Sequence, residues 1–423
     1  MKDQRIKNVQ HNRLLLVPAL LLVFVLWLTG CTSLERETAR EETPGEAMPA
    51  EEDSREASHD LDLTEAEARE QERILIEELV QAMTLEEKAG QVFMLAFRRD
   101  AAGEPLWRVN EAVSRQMKEL QPGGIILFRE NIDNEHQVRA IIGDFQSLSP
   151  IPLLMAVDEE GGRVSRLTHG SLDFPRIPAA RAVGQTGDEQ AAEETGRQLG
   201  EALKDLGFNM NMAPVADVDS NPRNPVIGDR SYGSDPNLAA SMAAAVARGM
   251  MGEGVIPVYK HFPGHGDTDQ DTHTGPVTLS HDQARLNSLE LVPFVRGIDE
   301  GIPAIMTAHL LVPAYDDQLP ATLSPQILTK LLRNQLDFQG IIITDALDMT
   351  AISQQWSSGE AAVKALAAGA DVLLMPSDAA EAHQAVVTAV KEGTLSPDRL
   401  NEAVSRILQL KARYGMTLVE EPS

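Results

Sequence analysis

The sequence predicts an α/β fold, a (β/α)8 barrel of the TIM type. Three observations point there. Eight short apolar runs recur along the chain after residue 90. Amphipathic stretches such as Asp188–Leu206 and Asn237–Gly252 separate most of them, and strands alternating with helices imply a parallel sheet. Most runs also end in polar or charged residues, namely Asp158, Asp217, Lys260-His261, His309 and Asp345. Parallel barrels carry their functional groups at that end of the strands. A doubly wound open sheet is the competing architecture.

The elements follow in chain order. Lys2, Arg5, Lys7 and Arg13 form a basic flank ahead of an apolar run, "LLLVPALLLVFVLWL", Leu14 to Leu28. The run is short for a membrane span and has the layout of a signal peptide. It ends in "LTGC", Leu28 to Cys31, which resembles a bacterial lipobox. That resemblance implies cleavage before Cys31 and lipid on its sulfur and new N-terminus. An uncleaved anchor helix is the alternative. Glu35 to Asp62 is acidic and nearly free of large apolar residues, so burial cannot offset the entropy of ordering it; a disordered spacer is expected. The expected division is 1–30 signal peptide, 31–62 lipidated cysteine and linker, and 63–423 catalytic barrel.

Within the barrel, Thr84 and Glu87 suggest a capping box at a helix start. That helix runs into the first strand, Val92–Phe97. The further strands are expected at Gly123–Phe128, Pro152–Asp158, Phe208–Asp217, Val255–Phe262, Pro303–Leu310, Gly340–Leu347 and Ala370–Pro376.

Composition sets limits on function. The 423 residues are 43% hydrophobic, enough for a sizeable core, and the net charge is -27. Nucleic-acid binding needs clustered Lys and Arg, so this balance argues against it. Cys31 is the one cysteine, which excludes an intrachain disulfide and any zinc site needing two thiolates from this chain.

Four motifs carry chemistry. Asp345 follows "GIIIT" and would stand at the barrel mouth as a nucleophile, a metal ligand or a helix N-cap. "DEEGGRVSR" places Asp158 and Arg166 around a Gly161-Gly162 turn; a carboxylate and a guanidinium suit a polyhydroxylated ligand, or form an ion pair on the rim. "GDRSYGSDP" adds Arg230, and "NPRN", Asn221 to Asn224, is turn-like. In "KHFPGHGDTDQDTHTGP", Lys260 and His261 close a strand and a glycine-rich turn follows. Asp271 and His273 are two apart, on one side of the chain if the backbone is extended. A carboxylate beside an imidazole equips it for proton transfer.

"MTLEEKAGQ", "AVDEEGGRV", "KHFPGHGDT…DTH" and "ITDALDM" occur in this order and resemble glycoside hydrolase family 3, specifically its β-N-acetylhexosaminidase branch. The likeness covers about Leu63 to Gly415. It implies Asp345 as nucleophile, His273 as acid/base with Asp271 as its dyad partner, and Asp158, Arg166, Arg230, Lys260 and His261 as sugar-binding residues. It implies removal of non-reducing terminal β-linked N-acetylglucosamine, typically from peptidoglycan fragments, through a covalent glycosyl-enzyme. Phosphate is a further conceivable acceptor. No cofactor or metal is expected, and the partners are a glycan and, through Cys31, a bacterial membrane on its extracytoplasmic side; a monomer is expected. The rival readings are a metal-dependent hydrolase on the same barrel and a non-catalytic glycan-binding lipoprotein.

Overall fold

The computed structural model describes residues 67–68 and 70–418. The expected signal peptide, Cys31 and the acidic linker lie outside the described residues.

Eight parallel strands form the barrel: β1 Phe93–Leu95, β2 Gly124–Leu127, β3 Leu154–Val157, β4 Met210–Asn211, β5 Ile256–Phe262, β6 Ala304–Thr307, β7 Ile341–Ile343 and β8 Leu373–Leu374. They neighbour one another in the order β7-β6-β5-β4-β3-β2-β1-β8. Met94 faces Gly124 in register, Ile125 faces Met155, and Phe93 faces Leu373. A bridge between Ile343 and Val372 closes the ring from β7 to β8. All eight fall within the apolar runs of the sequence. Their residues are buried along the whole length, as strands covered on both faces must be.

Two runs behave differently from expectation. The fourth contributes only Met210–Asn211 to the ladder, because Pro214 has no N–H to donate. Pairing resumes at a bridge between Val215 and Lys260. The sixth run splits. Leu310–Val312 leaves the barrel and pairs with Val277–Thr278 and Asp316–Pro320 in a three-stranded sheet that the sequence did not foretell.

The helices start where local chemistry dictates. At Leu85–Gln91 the capping box forms in full: Glu87 N donates to Thr84 Oγ1 at 3.2 Å, and Thr84 N donates to Glu87 Oε2 at 2.7 Å. Asp188 caps Glu189–Leu206 and Asp235 caps Pro236–Gly252. Each such cap contributes about 1 kcal/mol. Beneath the barrel, Lys411 of helix Pro397–Arg413 is wholly buried and donates to Gln91 Oε1 at 3.0 Å. Burial pushes its ammonium down to about 7.

Candidate active site

A cavity of about 970 Å3 opens at the C-terminal ends of the strands. Asp158 and Glu160 reach it from just after β3, Lys260 and His261 from the end of β5, and Asp345 from just after β7. Arg166 and His273 reach it from loops, and Arg230 from a 3-10 turn, Gly228–Arg230.

Its floor is a charge network. Lys260 Nζ donates to Asp158 Oδ1 at 2.8 Å and lies 2.7 Å from Glu160 Oε1. Arg230 grips Glu160 with two bonds of 2.8 Å, from Nε and Nη2. Arg166 Nη2 stands 3.4 Å from Asp158 Oδ2. Three cations thus face two carboxylates. Burial alone would raise the Asp158 carboxyl, but Lys260 and Arg166 outweigh it and hold it below its ordinary range. Glu160 is held down likewise by Lys260 and Arg230. Lys260 loses to burial but gains more from the two carboxylates, and its pKa rises.

The turn after β3 builds this floor. Gly161 and Gly162 take φ of 80° and 56°, the left-handed region that favours glycine, as their pairing in the sequence suggests. Glu159 points away from its neighbours. Its Oε2 accepts from the amides of Arg166 and Leu167 at 2.9 and 3.1 Å, and burial pushes its carboxyl up to about 7. Glu159 therefore holds the far end of the turn while Asp158 and Glu160 line the cavity.

Asp217 organises the second wall. Fully buried, it accepts from His261 N at 3.1 Å, His261 Nδ1 at 2.7 Å and His265 N at 2.7 Å. A carboxylate can only accept, so Nδ1 carries the proton and Nε2 of His261 is left toward the cavity. Burial would raise Asp217; His261 and the other bonds bring it below its usual value. Asn224 fastens the loop that follows: its Nδ2 donates to the carbonyls of His265 and Gly266 at 2.8 and 3.1 Å. The Asn221–Asn224 segment is indeed a turn, with Asn224 N donating to Asn221 O. It is also a brace for the loop that carries Asp271 and His273, which the sequence did not reveal.

Asp271 and His273 pair, but not through an extended backbone. Thr274 N donates to Asp271 O at 3.0 Å, which makes a turn. Asp271 Oδ1 accepts both from His273 N at 2.9 Å and from His273 Nδ1 at 2.8 Å. The short Asp side chain bonding its own backbone two residues on is what brings the imidazole round. The Asp271 carboxyl is raised by partial burial and lowered more by these two bonds, so it stays below its ordinary range. The His273 side chain is 66% exposed.

Asp345 caps no helix. The next helical turn, Thr350–Ser353, follows Met349, and among the described residues Asp345 Oδ1 accepts only from the adjacent Ala346 N, at 2.8 Å. The buried His309 fixes this corner: Nε2 lies 2.9 Å from Ala346 O and Nδ1 lies 2.8 Å from Thr322 Oγ1. Burial pushes the His309 imidazole down, with Asp345 opposing. Seven of the eight site residues expected inside the barrel therefore line this cavity, and the eighth, Asp271, is bonded to His273, which does. The sequence reading missed Glu160, took Asn224 only as part of a turn, and named His309 and Asp217 only as strand-end groups.

The chain matches the glycosyl hydrolase family 3 N terminal domain over residues 84–410. It is 34% identical over 369 residues to "Beta-hexosaminidase A" of Pseudoalteromonas piscicida, covering 78% of this chain and 61% of that protein. It is 37% identical over 289 residues to a "Beta-hexosaminidase" of Chromobacterium violaceum, covering 67% and 79%. Its fold superposes on a family 3 β-N-acetylglucosaminidase from Paenibacillus sp. str. FPU-7 with TM-score 0.75 and 39% identity, covering 81% of this chain and 65% of that one. The match thus spans less than two thirds of the Pseudoalteromonas and Paenibacillus relatives. With the family domain matched over most of this chain, residues 84–410, and the barrel carrying a charged cavity at its mouth, the chain belongs to glycosyl hydrolase family 3.

Proposed function

We propose that this protein is a retaining β-N-acetylhexosaminidase that removes non-reducing terminal N-acetylglucosamine from peptidoglycan-derived glycans. One observation carries the reading: Asp345 and the imidazole of the Asp271–His273 pair border the same cavity, above a floor of paired cations and carboxylates. The relatives' names agree with it.

In this reading Asp345 attacks the anomeric carbon, and the bond from that carbon to the leaving oxygen breaks. His273 gives the leaving oxygen a proton, then takes one from the incoming water, which releases the sugar and frees Asp345. Asp271 holds the tautomer by accepting from Nδ1. Asp158, Lys260, Arg166, Arg230 and His261 bind the sugar; the ionised Asp158 accepts from hydroxyls and the cations donate. Arg166 Nε, buried and without a protein partner among the described residues, is a donor left for the ligand.

The experiment is product analysis with N-acetylglucosaminyl-β-1,4-N-acetylmuramic acid, with and without phosphate. Release of N-acetylglucosamine with retained configuration supports the reading. A sugar phosphate in the phosphate arm makes the enzyme a phosphorylase on the same site, and no cleavage in either arm overturns the proposal. We further propose an extracytoplasmic, lipid-anchored monomer. Labelled fatty acid should enter the wild-type chain and not Cys31→Ala; equal labelling refutes the anchor.

A further inference from the structure

We propose that Asp267, His281 and Glu290 form a binding site for one divalent cation of the zinc class, at the neck of the loop that carries Asp271 and His273. None of the three lines the sugar cavity. Their ligand atoms, one nitrogen and two carboxylate oxygens, all lie within 4.8 Å of one another. Tetrahedral zinc at about 2.0–2.1 Å from each ligand needs donors spaced by roughly 3.4 Å, so small side-chain adjustments suffice.

Glu290 is the observation that points to a ligand. Its side chain is 1% exposed, and neither carboxylate oxygen has a hydrogen-bond partner among the described residues. Arg285 Nη2 forms an ion pair with Oε1 at 3.2 Å, while Oε2 has no hydrogen-bond partner among the described residues. A buried carboxylate left unsatisfied costs several kcal/mol unless something compensates it. A metal ion held by both carboxylates would compensate it more fully than the partly exposed Arg285 does. One imidazole with two carboxylates selects zinc-like ions over calcium or magnesium, which take oxygen ligands.

The placement gives the cation a role. Asp267 precedes Asp271 and His281 follows His273; they meet through Nε2 and Oδ2, pinching the loop shut. Glu290 lies under the same neck, with its Cβ 2.8 Å from where a side chain on Gly264 would begin. A bound ion would tie both loop ends to the start of the helix Val292–Asp299. Arg285 is the resident competitor, 3.4 Å from Asp267 Oδ2, and at 36% exposed it has room to swing into solvent. This inference stands apart from the proposed glycosidase reaction, since its readout is metal content.

The test is zinc uptake by the full chain after exhaustive chelation, measured by calorimetry and elemental analysis, with calcium as control. One zinc per chain and no calcium is expected. His281→Ala, a half-buried position that the fold should tolerate, and Glu290→Gln should each lose the zinc. Arg285→Ala should bind it roughly tenfold tighter, because a competing cation is gone. His273→Ala should retain it. No uptake by wild type, undiminished uptake by His281→Ala, equal or weaker binding by Arg285→Ala, or loss in His273→Ala would each overturn the site; the last would move the zinc to the dyad.

Discussion

Replacing Lys260 with Met tests the charge network directly. The substitution keeps an unbranched side chain of similar length and removes one cation that is 3% exposed. Two contacts vanish, at 2.8 Å to Asp158 and 2.7 Å to Glu160. Glu160 keeps its paired bonds to Arg230. Asp158 keeps only Arg166 at 3.4 Å, so the loss falls on Asp158. Removing one partner of a buried pair costs about 3–5 kcal/mol, and we expect about 3 because only one carboxylate is stranded. That is roughly a hundredfold in the folding equilibrium constant. The pH dependence has a definite sign. In the wild type Asp158 is depressed, so its contribution is present above the ordinary aspartate pKa and lost as pH falls through the folded value. In the variant burial dominates and the carboxyl is raised. Its penalty then grows as pH rises and is relieved as pH falls. Urea unfolding at neutral and mildly acidic pH should therefore show a gap between variant and wild type that narrows in acid. Adding Asp158→Asn should recover much of the loss. A destabilisation below about 1 kcal/mol, or a gap independent of pH, would refute the network as described.

Other expectations are equally specific. His273→Ala should slow a natural disaccharide by about 10²–10⁴-fold and an activated aryl glycoside far less, since only the poor leaving group needs its proton; azide should rescue turnover, and equal losses on both substrates would remove His273 from the acid/base role. Asp271→Ala should show a milder form of that pattern in the same steady-state assays. Asp345→Ala should abolish turnover, and a mechanism-based fluorosugar should label Asp345 in the wild type by peptide mass spectrometry, whereas label on Asp348 would move the nucleophile. Lys411→Met should stabilise the fold by about 2 kcal/mol at neutral pH in denaturant titrations, because a lysine depressed to about 7 forfeits stability as pH falls from its unfolded value toward that one; a destabilised Lys411→Met would show that the bond to Gln91 outweighs burial.

The barrel was readable because strands covered on both faces must be apolar throughout, and runs such as Gly340–Leu347 and Val255–Phe262 have no other comfortable place. Their polar ends were readable for the complementary reason: Asp158, Lys260 and Asp345 stand where solvent and ligand enter. Glu160 escaped notice although the signal was there. Alternation along an extended chain puts residues 158 and 160 on one side and Glu159 on the other, and three consecutive acids obscured that. The turn at Asp271 was similarly available from the habit of aspartate to bond its own backbone. By contrast, Asn224 beneath His265 and His309 beneath Ala346 depend on contacts 41 and 37 residues apart, which no local pattern encodes. The three-stranded sheet escaped because its strands are too short to print a period.

The self-contained Asp271–His273 turn has an evolutionary consequence. Both bonds that orient the imidazole arise within three consecutive residues, whereas Lys260 and His261 are locked to groups far away in the chain, Asp158, Glu160 and Asp217. If the proposed function holds, the proton-handling element is therefore a cassette. Insertions, shortening or outright exchange of the loop between Gly266 and Pro276 would leave the Lys260–His261 framework, proposed to grip the sugar, intact. New leaving-group preferences could be tried by descent without first dismantling the part of the protein that knows the sugar.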